Sequence, residues 1–190
     1  MLFPIIYGSV RTDRQGIRAA RFLRKRLTQR GHEAVIVDPL EQQLPLLDKM
    51  YKEFEPGSAP VVLEELAQLY RRADGFLFVC GEYNHSIPPA LTNLIDHFME
   101  EYFWRPAGIV CYSSGRFAGV RAAMQLRALL PECGMPTIPS LLPIASIGQA
   151  FDEHDEPTSA FTDEQTTKFL DEFIWYVHAL KAQRALGTPY

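Results

Sequence analysis

Apolar runs and segments with a helical period alternate from one end of this sequence to the other. Short runs rich in branched and aromatic residues occupy 2–7, 34–37, 76–80 and 107–112, and each precedes a helix-period segment or a long connection that leads to one. This alternation is typical of β-α-β units, in which helices connect parallel strands and cover the sheet. The sequence therefore predicts an α/β fold built on a parallel sheet.

Five segments with a helical period are predicted to form the helices. They cover about residues 16–29, 61–72, 88–102, 120–130 and 162–186. The fourth is expected to stop at Pro131, because proline lacks the backbone donor that a helix needs. Thr162 and Gln165 have the spacing of a capping box, which predicts the start of the last helix.

Two segments have no clear period. Residues 40–60 contain three prolines and a glycine, and we expect a long surface segment with one helical turn. Loops of this length are uncommon in compact domains and are often functional. Residues 135–147 are expected to contain a fifth strand, which is interrupted by Pro136, Pro139 and Pro143.

The composition fits one globular domain that covers residues 1–190. Hydrophobic residues make up 47% of the chain and charged residues 22%, as in ordinary globular domains. The net charge of −4 argues against a nucleic-acid partner, because nucleic-acid binders are usually basic. The sequence has no run of about 18 apolar residues and no signal-peptide pattern, so neither a membrane span nor a membrane partner is expected.

The cysteines indicate a reducing compartment. Cys80, Cys111 and Cys133 are odd in number and form no CxxC motif, and the first two end apolar runs. We therefore expect reduced, buried thiols in a cytoplasmic protein.

Basic residues are concentrated near the amino terminus. Eight of them lie between Arg11 and Arg30, against the single acid Asp13. Most are expected to form a solvated helix face. Arg11 and Arg14 precede the helix, whose free amino-terminal N–H groups attract anions, so these two are expected beside a phosphate. The acidic segment around His154 lacks regular ligand spacing and is expected to be a solvated turn rather than a metal site.

Three strand-end loops have the composition of a ligand site. They cover residues 8–16, 81–89 and 113–119, after the first, third and fourth strands. In a sheet of order 2-1-3-4-5 these strands are neighbours, and ligands bind outside the carboxyl ends of such strands. The first loop is neither a Walker loop nor a GxGxxG fingerprint, so a phosphate monoester suits it better than a pyrophosphate.

The same loops resemble motifs of the NADPH-dependent FMN reductase family, which is flavodoxin-like and includes quinone, azo-dye and chromate reductases. Residues 8–11 resemble its GSxR phosphate loop, and residues 81–96 are similar to its PEYNxSxPxxLxNxxD signature. The sequence departs from the family at Gly81, where proline is usual, and at Arg14 and Gln15, where small polar residues are common. The resemblance implies a flavodoxin-like three-layer sandwich: a five-stranded parallel sheet of order 2-1-3-4-5 with helices on both faces.

The resemblance further implies FMN as the cofactor and NADPH or NADH as the electron donor. The implied FMN contacts are Ser9, Arg11, Arg14, Gln15 and Gly16 at the phosphate, Glu82, Tyr83 and Asn84 along the isoalloxazine ring, and Ser113, Ser114 and Gly115 at its pyrimidine edge. The hydride chemistry belongs to the cofactor, so no catalytic side chain is assigned. His85 is either a proton donor or a loop residue that faces water. The implied activity is two-electron, ping-pong reduction of flavin, quinone or a similar small oxidised acceptor.

Two other functions stay open from the residues alone. One is a flavodoxin-type carrier of single electrons, and the other is a redox-sensing module whose flavin turns over slowly. Typical flavodoxins are more acidic and lack paired arginines in the phosphate loop, so Arg11 and Arg14 favour the reductase. A long-lived one-electron-reduced flavin would favour the carrier, and absent steady-state turnover would favour the sensing module.

A homodimer or homotetramer is also expected. Met99, Tyr102, Phe103 and Trp104 add large apolar side chains beyond the face that the third helix needs to bury. Exposed apolar patches of this kind usually mark interfaces. The alternative is that these aromatic residues cap the core of the sheet.

Overall fold

The computed structural model describes residues 1–190 and contains one five-stranded sheet. Every pair of adjacent strands is parallel, and the strand order is β2-β1-β3-β4-β5, so the predicted order is confirmed. The strands are β1 (Leu2–Tyr7), β2 (Glu33–Val37), β3 (Phe76–Gly81), β4 (Ala107–Tyr112) and β5 (Thr137–Ile144). The strands β1, β3 and β4 are buried along their whole length, as the uninterrupted apolar runs predict.

Six helices connect the strands and cover both faces. They are α1 (Ile17–Gln29), α2 (Pro39–Gln42), α3 (Val61–Arg72), α4 (Pro89–Asp96), α5 (Val120–Glu132) and α6 (Ala160–Leu186). The buried side chains of α1 and α6 form one apolar core against the sheet. Those of α3, α4 and α5 form a second core on the opposite face. The chain is therefore a three-layer sandwich, in which each sheet face has its own core.

The helix predicted over 88–102 is shorter than expected. It ends at Asp96, the backbone has left the helical region by Met99 (φ −145°, ψ −70°), and a 3₁₀ turn follows at Glu100–Tyr102. This break turns Tyr102 into the core, where its ring lies 5.4 Å from that of Tyr70 and 5.2 Å from that of Phe76 between centroids.

The interface predicted at these aromatic residues is accordingly wrong for Tyr102, which is fully buried. Phe103 and Trp104 are partly covered by Tyr190, whose ring centroid lies 5.8 and 4.8 Å from theirs. The alternative, in which the aromatic residues cap the core, is the better description of this segment.

Two predicted helix boundaries are also wrong. Helix α5 continues through Pro131 to Glu132, because a proline in the last turn removes only a single hydrogen bond and the helix ends there in any case. Helix α6 begins at Ala160 after Ser159, with no side-chain cap. Thr162 lies inside the helix, and its carbonyl accepts a 2.8 Å bond from the Thr166 hydroxyl, so the predicted capping box does not form.

The prolines of β5 are explained by its place at the edge of the sheet. An edge strand has one side without a partner, and proline is tolerated where no donor is required. Pro143 pairs in register with Cys111 of β4. Residues 40–60 form the predicted surface segment, with α2 at its start and a 3₁₀ turn at Tyr51–Glu53.

No helix of the chain combines the length and the apolar character that crossing a membrane requires.

Candidate active site at the carboxyl edge of the sheet

The three loops predicted to carry the site meet at one edge of the sheet. They follow β1, β3 and β4, which are adjacent, and the pairing of Cys80 with Cys111 brings the ends of β3 and β4 level. Between them lies a cavity of about 190 Å³. The lining residues are Ser9, Arg11, Asp13, Arg14, Gln15, Gly81, Glu82, Tyr83, Tyr112, Ser113, Ser114 and Ile147. The predicted convergence of the loops is therefore observed.

The first loop presents free amide groups where it enters α1. The amide of Arg11 is held by the Ser9 hydroxyl at 3.4 Å, but none of the amides of residues 12–16 has an acceptor within the chain. Unpaired N–H groups at the start of a helix form an anion site, and the helix dipole adds to their attraction. The side chain of Arg11 is exposed and has no partner, so its charge is available to a ligand.

Arg14 differs from Arg11 because the protein holds it in place. Its Nη1 forms an ion pair with the Asp38 carboxylate and donates to the Ser9 carbonyl at 3.3 Å. The guanidinium lies over the ring of Tyr7, 5.5 Å from the centroid. The hydrogen bond to Asp38 raises the pKa of Arg14 above its ordinary value. Arg14 is thus fixed at the rim of the cavity before any ligand binds.

The second loop is anchored through Glu82. Its carboxylate accepts hydrogen bonds from the backbone amide of Arg121 at 3.1 Å and from the guanidinium of the same residue at 3.3 Å. This pair ties the loop to the first turn of α5. The neighbouring Tyr83 hydroxyl lies 2.8 Å from the Ser9 hydroxyl, which joins the second loop to the first.

The tip of the second loop is exposed and is not part of the cavity lining. Tyr83 and Ser86 exchange two backbone hydrogen bonds of 3.0 and 2.9 Å, and Asn84 and His85 between them adopt positive φ angles of 51° and 62°. This is the geometry of a tight two-residue turn, which asparagine tolerates well. Both side chains are exposed and neither lines the cavity.

Tyr112 forms the floor of the cavity. A Cβ atom at Gly16 would lie 2.1 Å from the Tyr112 ring, and one at Gly81 would lie 3.0 Å from it. The two glycines therefore make the space in which the ring lies. The Tyr112 hydroxyl donates to that of Tyr7 at 3.5 Å, and burial raises the pKa of Tyr112. Gly119 allows the backbone of the third loop to pass close to that of Tyr112, since a Cβ atom at position 119 would lie 2.5 Å from the Tyr112 carbonyl oxygen.

Most of the residues predicted for the site line the cavity. Of the eleven, Gly16, Asn84 and Gly115 do not, which leaves eight that do: Ser9, Arg11, Arg14, Gln15, Glu82, Tyr83, Ser113 and Ser114. Gly16 makes room for Tyr112, whereas Asn84 and Gly115 are exposed at loop tips. The contacts of these eleven residues with FMN stay a prediction.

Sequence reasoning missed Tyr112 and Asp38. It placed Gly119 and Arg121 in a segment that resembles the GxR segment of the family, but it missed the pairing of Arg121 with Glu82. Tyr112 looked like the last apolar residue of a strand, and Asp38 like a turn residue after β2. A signal was present for Asp38, because β2 lies beside β1 and its end must therefore approach the first loop. No local pattern pairs Arg121 with Glu82, since they are 39 positions apart.

An open parallel sheet of this order, with the anion-binding loop after its first strand, defines a flavodoxin-like protein. Comparison with known families gives the narrower class: the model of the NADPH-dependent FMN reductases matches residues 1–149. The chain belongs to that family. It is an NAD(P)H-dependent oxidoreductase with FMN as its cofactor.

Individual relatives agree with this assignment. A quinone reductase of Pseudomonas putida is 29% identical over 175 residues, which cover 90% of this chain and 89% of the relative. An NAD(P)H-dependent FMN reductase of Schizosaccharomyces pombe is 31% identical over 151 residues, which cover 72% and 70%. Among solved structures, the flavoenzyme NAD(P)H:(acceptor) oxidoreductase FerB from Paracoccus denitrificans has a TM-score of 0.75 at 21% identity, covering 94% of this chain and 97% of FerB.

Proposed function

We propose that the chain holds FMN in the cavity at the carboxyl edge of the sheet and there transfers electrons from NAD(P)H to a quinone, a free flavin or a similar small oxidised acceptor. The observation that carries this proposal is the row of unpaired amides at residues 12–16 beside the unpartnered Arg11. Bound FMN supplies the hydride chemistry, and the protein supplies binding and electrostatics.

The first loop fits the phosphate end of FMN. Five amides, the Arg11 guanidinium and the free edge of Arg14 are all donors, which a dianionic phosphate requires. We assign Ser9, Arg11, Arg14, Gln15 and Gly16 to this end, with Gly16 contributing its amide rather than a side chain.

The second and third loops fit the ring end. We assign Glu82, Tyr83 and Asn84 to the ring and Ser113, Ser114 and Gly115 to its pyrimidine edge. Asn84 and Gly115 are exposed beside the cavity lining, so they would meet only the part of the ring that extends beyond the cavity. The Glu82 carboxylate is neutralised by Arg121 at 3.3 Å. This ion pair makes the second loop compatible with a reduced flavin ring, because an unpaired carboxylate would repel the negative charge that the ring gains on reduction. Tyr83 is held by Ser9, so its ring is oriented before a ligand arrives.

We expect ping-pong kinetics if the bound ring offers a single open face to both substrates. If nicotinamide and acceptor use the same face, the first must leave before the second binds. Steady-state rates measured over a grid of NADPH and quinone concentrations should therefore give parallel double-reciprocal lines, with inhibition at high NADPH. Intersecting lines would mean that both substrates bind together and would reject the shared face.

We also propose a homodimer or homotetramer, now on a different surface from the aromatic segment. A groove of about 250 Å³ beside the first loop is lined by Val10, Leu44 and Leu46 among others. Val10 is 46% exposed and Leu46 is 84% exposed, and apolar surface of this kind usually marks an interface. A two-fold axis through this surface would place the same apolar residues of two copies against each other.

Light scattering at micromolar concentration tests the oligomer directly. The expected mass is two or four times the 21.6 kDa of one chain. Leu46→Glu should reduce this mass towards that of the monomer, because it places a charge in the proposed interface. The exposed Val61, which is 73% exposed outside this groove, provides the matched control variant Val61→Glu. A monomer mass for the unaltered chain would reject the proposal.

We also propose that this chain, as a single domain, is located in the cytoplasm. We propose no nucleic-acid or membrane partner for it. All three cysteines are free and buried, and burial raises the pKa of Cys111 to about 12 and that of Cys133 to about 11. Free thiols in a stable core are the rule in reducing compartments. Localisation of the tagged chain in cell fractions tests this directly, and recovery in the membrane or an oxidising compartment would contradict it.

A further inference from the structure

We infer that Asp38 is a positioning residue, which fixes the guanidinium of Arg14 so that its free edge meets the phosphate of FMN. The inference rests on the proposed placement of the phosphate at the first loop. Asp38 itself does not line the cavity. It acts on the ligand through Arg14.

The Asp38 carboxylate is placed for this role by the fold. It lies at the end of β2, next to the end of β1, and its side chain is 3% exposed. One oxygen, Oδ1, accepts from the Leu40 amide at 3.0 Å and from Arg14 Nη1. A buried carboxylate held by a backbone amide cannot turn away, so it gives Arg14 a fixed partner.

Arg14 uses only one of its nitrogens within the protein. Nη1 contacts Asp38 and the Ser9 carbonyl, whereas Nε and Nη2 have no acceptor within the chain. The guanidinium plane is further held against Tyr7, and the side chain is 18% exposed at the cavity wall. The remaining donors are those of a fork that matches a phosphate in two parallel bonds.

The fixed guanidinium of Arg14 raises the affinity for a phosphate because it lowers the entropy that is lost on binding. A free arginine loses rotamer freedom when it binds, whereas Arg14 has already lost that freedom on folding. Arg11 has no partner and contributes charge without prior order. The two arginines therefore have different roles, since Arg11 attracts the phosphate and the pair of Asp38 with Arg14 fixes where it binds.

The test compares FMN with riboflavin, which has the same ring and no phosphate. Dissociation constants for both are measured by flavin fluorescence on the unaltered protein, on Asp38→Asn and on Asp48→Asn. Asparagine at position 38 can still accept from the Leu40 amide, so the turn is kept. Asp48 is exposed and does not line the cavity, so its variant removes the same charge without touching Arg14.

Asp38→Asn should weaken FMN binding about tenfold, because Arg14 would no longer be held in place for its charge-assisted hydrogen bonds to the phosphate. Riboflavin binding should be unchanged, since riboflavin has no phosphate. Asp48→Asn should not weaken FMN binding. Arg14→Lys, which keeps a charge beside Asp38 but loses the fork, should also lose FMN preference, and it tests the inference if Asp38→Asn unfolds.

Three results would overturn the inference. Equal weakening of FMN and riboflavin would make Asp38 a structural residue, and tighter FMN binding would show that Asp38 competes with the phosphate for Arg14. An Asp38→Asn variant with unchanged FMN affinity would remove the positioning role while leaving the phosphate site intact. If the unaltered protein shows no preference for FMN over riboflavin, the placement of the phosphate fails as well.

Discussion

The arginines of the first loop and those of helix α1 belong to one basic run in the sequence, yet the structure uses them differently. In α1, Arg26 pairs with Glu156 and Asp163, at 3.1 and 2.8 Å, and Arg30 pairs with Asp171 at 3.2 Å. In the loop, Arg11 has no partner and Arg14 keeps two nitrogens free.

The acidic turn at residues 152–156 and the carboxylates of Asp163 and Asp171 in α6 explain the difference. Glu156 also pairs with Lys25, and Asp155 lies 3.8 Å from Arg21. The prediction that this turn is solvated is confirmed for Glu153 and His154, which are 87% and 76% exposed. The partly buried Arg26 and Glu156 instead form an ion pair that joins the helix face to the turn. Within this basic run, the residues that indicate a ligand are those whose unpaired donors lie at the cavity, as they do at Arg11 and Arg14.

The largest effect is expected at Gly16, where the two regions join. In Gly16→Ala the new methyl group would lie 2.1 Å from the Tyr112 ring, so the floor of the cavity must shift. We expect a loss of about 1–3 kcal/mol in the free energy of unfolding, as for other overpacked sites, together with loss of FMN binding. Thermal melts and FMN titrations measure both. Gly148→Ala is the matched control, since its Cβ would meet nothing within 4 Å; equal behaviour of the two variants would contradict this role of Gly16.

The next largest effect is on FMN affinity, and it distinguishes an arginine of the first loop from an arginine of α1. Arg11→Ala should weaken FMN binding by about 1.5–3 kcal/mol, the usual loss for a hydrogen bond to a charged group, without changing stability. Calorimetric titration with FMN gives the affinity. Arg24 of α1 is also exposed and unpaired but lies away from the cavity, so Arg24→Ala should leave FMN binding unchanged. Identical losses in both variants would point to general charge attraction instead of a local site.

A smaller effect is expected in the ion pairs of α1. Glu156→Gln removes the partner of Lys25 and one partner of Arg26, and the Glu156 side chain is 30% exposed. Partly exposed pairs contribute roughly 0.3–1 kcal/mol to stability after screening by solvent, and FMN affinity should not change. Denaturant unfolding of Glu156→Gln beside Glu153→Gln, an 87% exposed neighbour, measures the difference. A fall in FMN affinity would show that the two regions are coupled.

The smallest effect concerns pH. Hydrogen bonds from the backbone amides of Glu156 and His154 lower the pKa of Asp152 in the folded chain. A carboxylate whose folded pKa is depressed stabilises the fold above its unfolded pKa, and this contribution is lost as the pH falls through the folded value. The difference in melting temperature between the unaltered chain and Asp152→Asn should therefore shrink as the pH falls below about 3.9, the ordinary pKa of aspartate. A difference that grows towards low pH would reverse the sign and reject this explanation.

The sequence predicts the sheet better than it predicts the ends of the helices. The strands β1 and β4 match their apolar runs, because uninterrupted burial leaves a clear local signal. The end of α4 is set by the packing of Tyr102 against Tyr70, which is a tertiary contact without a local pattern. The same distinction holds in the site: the loops are visible as motifs, whereas the pairing of Arg14 with Asp38 joins residues 24 positions apart.

Hydrogen–deuterium exchange with and without FMN tests the placement of the FMN phosphate most directly, because it reports on both regions in one experiment. We expect slower exchange at the amides of residues 9–16, 81–83 and 113–115 when FMN is added, since these loops line the cavity or supply its free donors. We expect no change in the acidic turn at 152–156 or at the exposed face of α1. Protection of the turn with unchanged exchange in the first loop would contradict the assignment of the FMN phosphate to that loop.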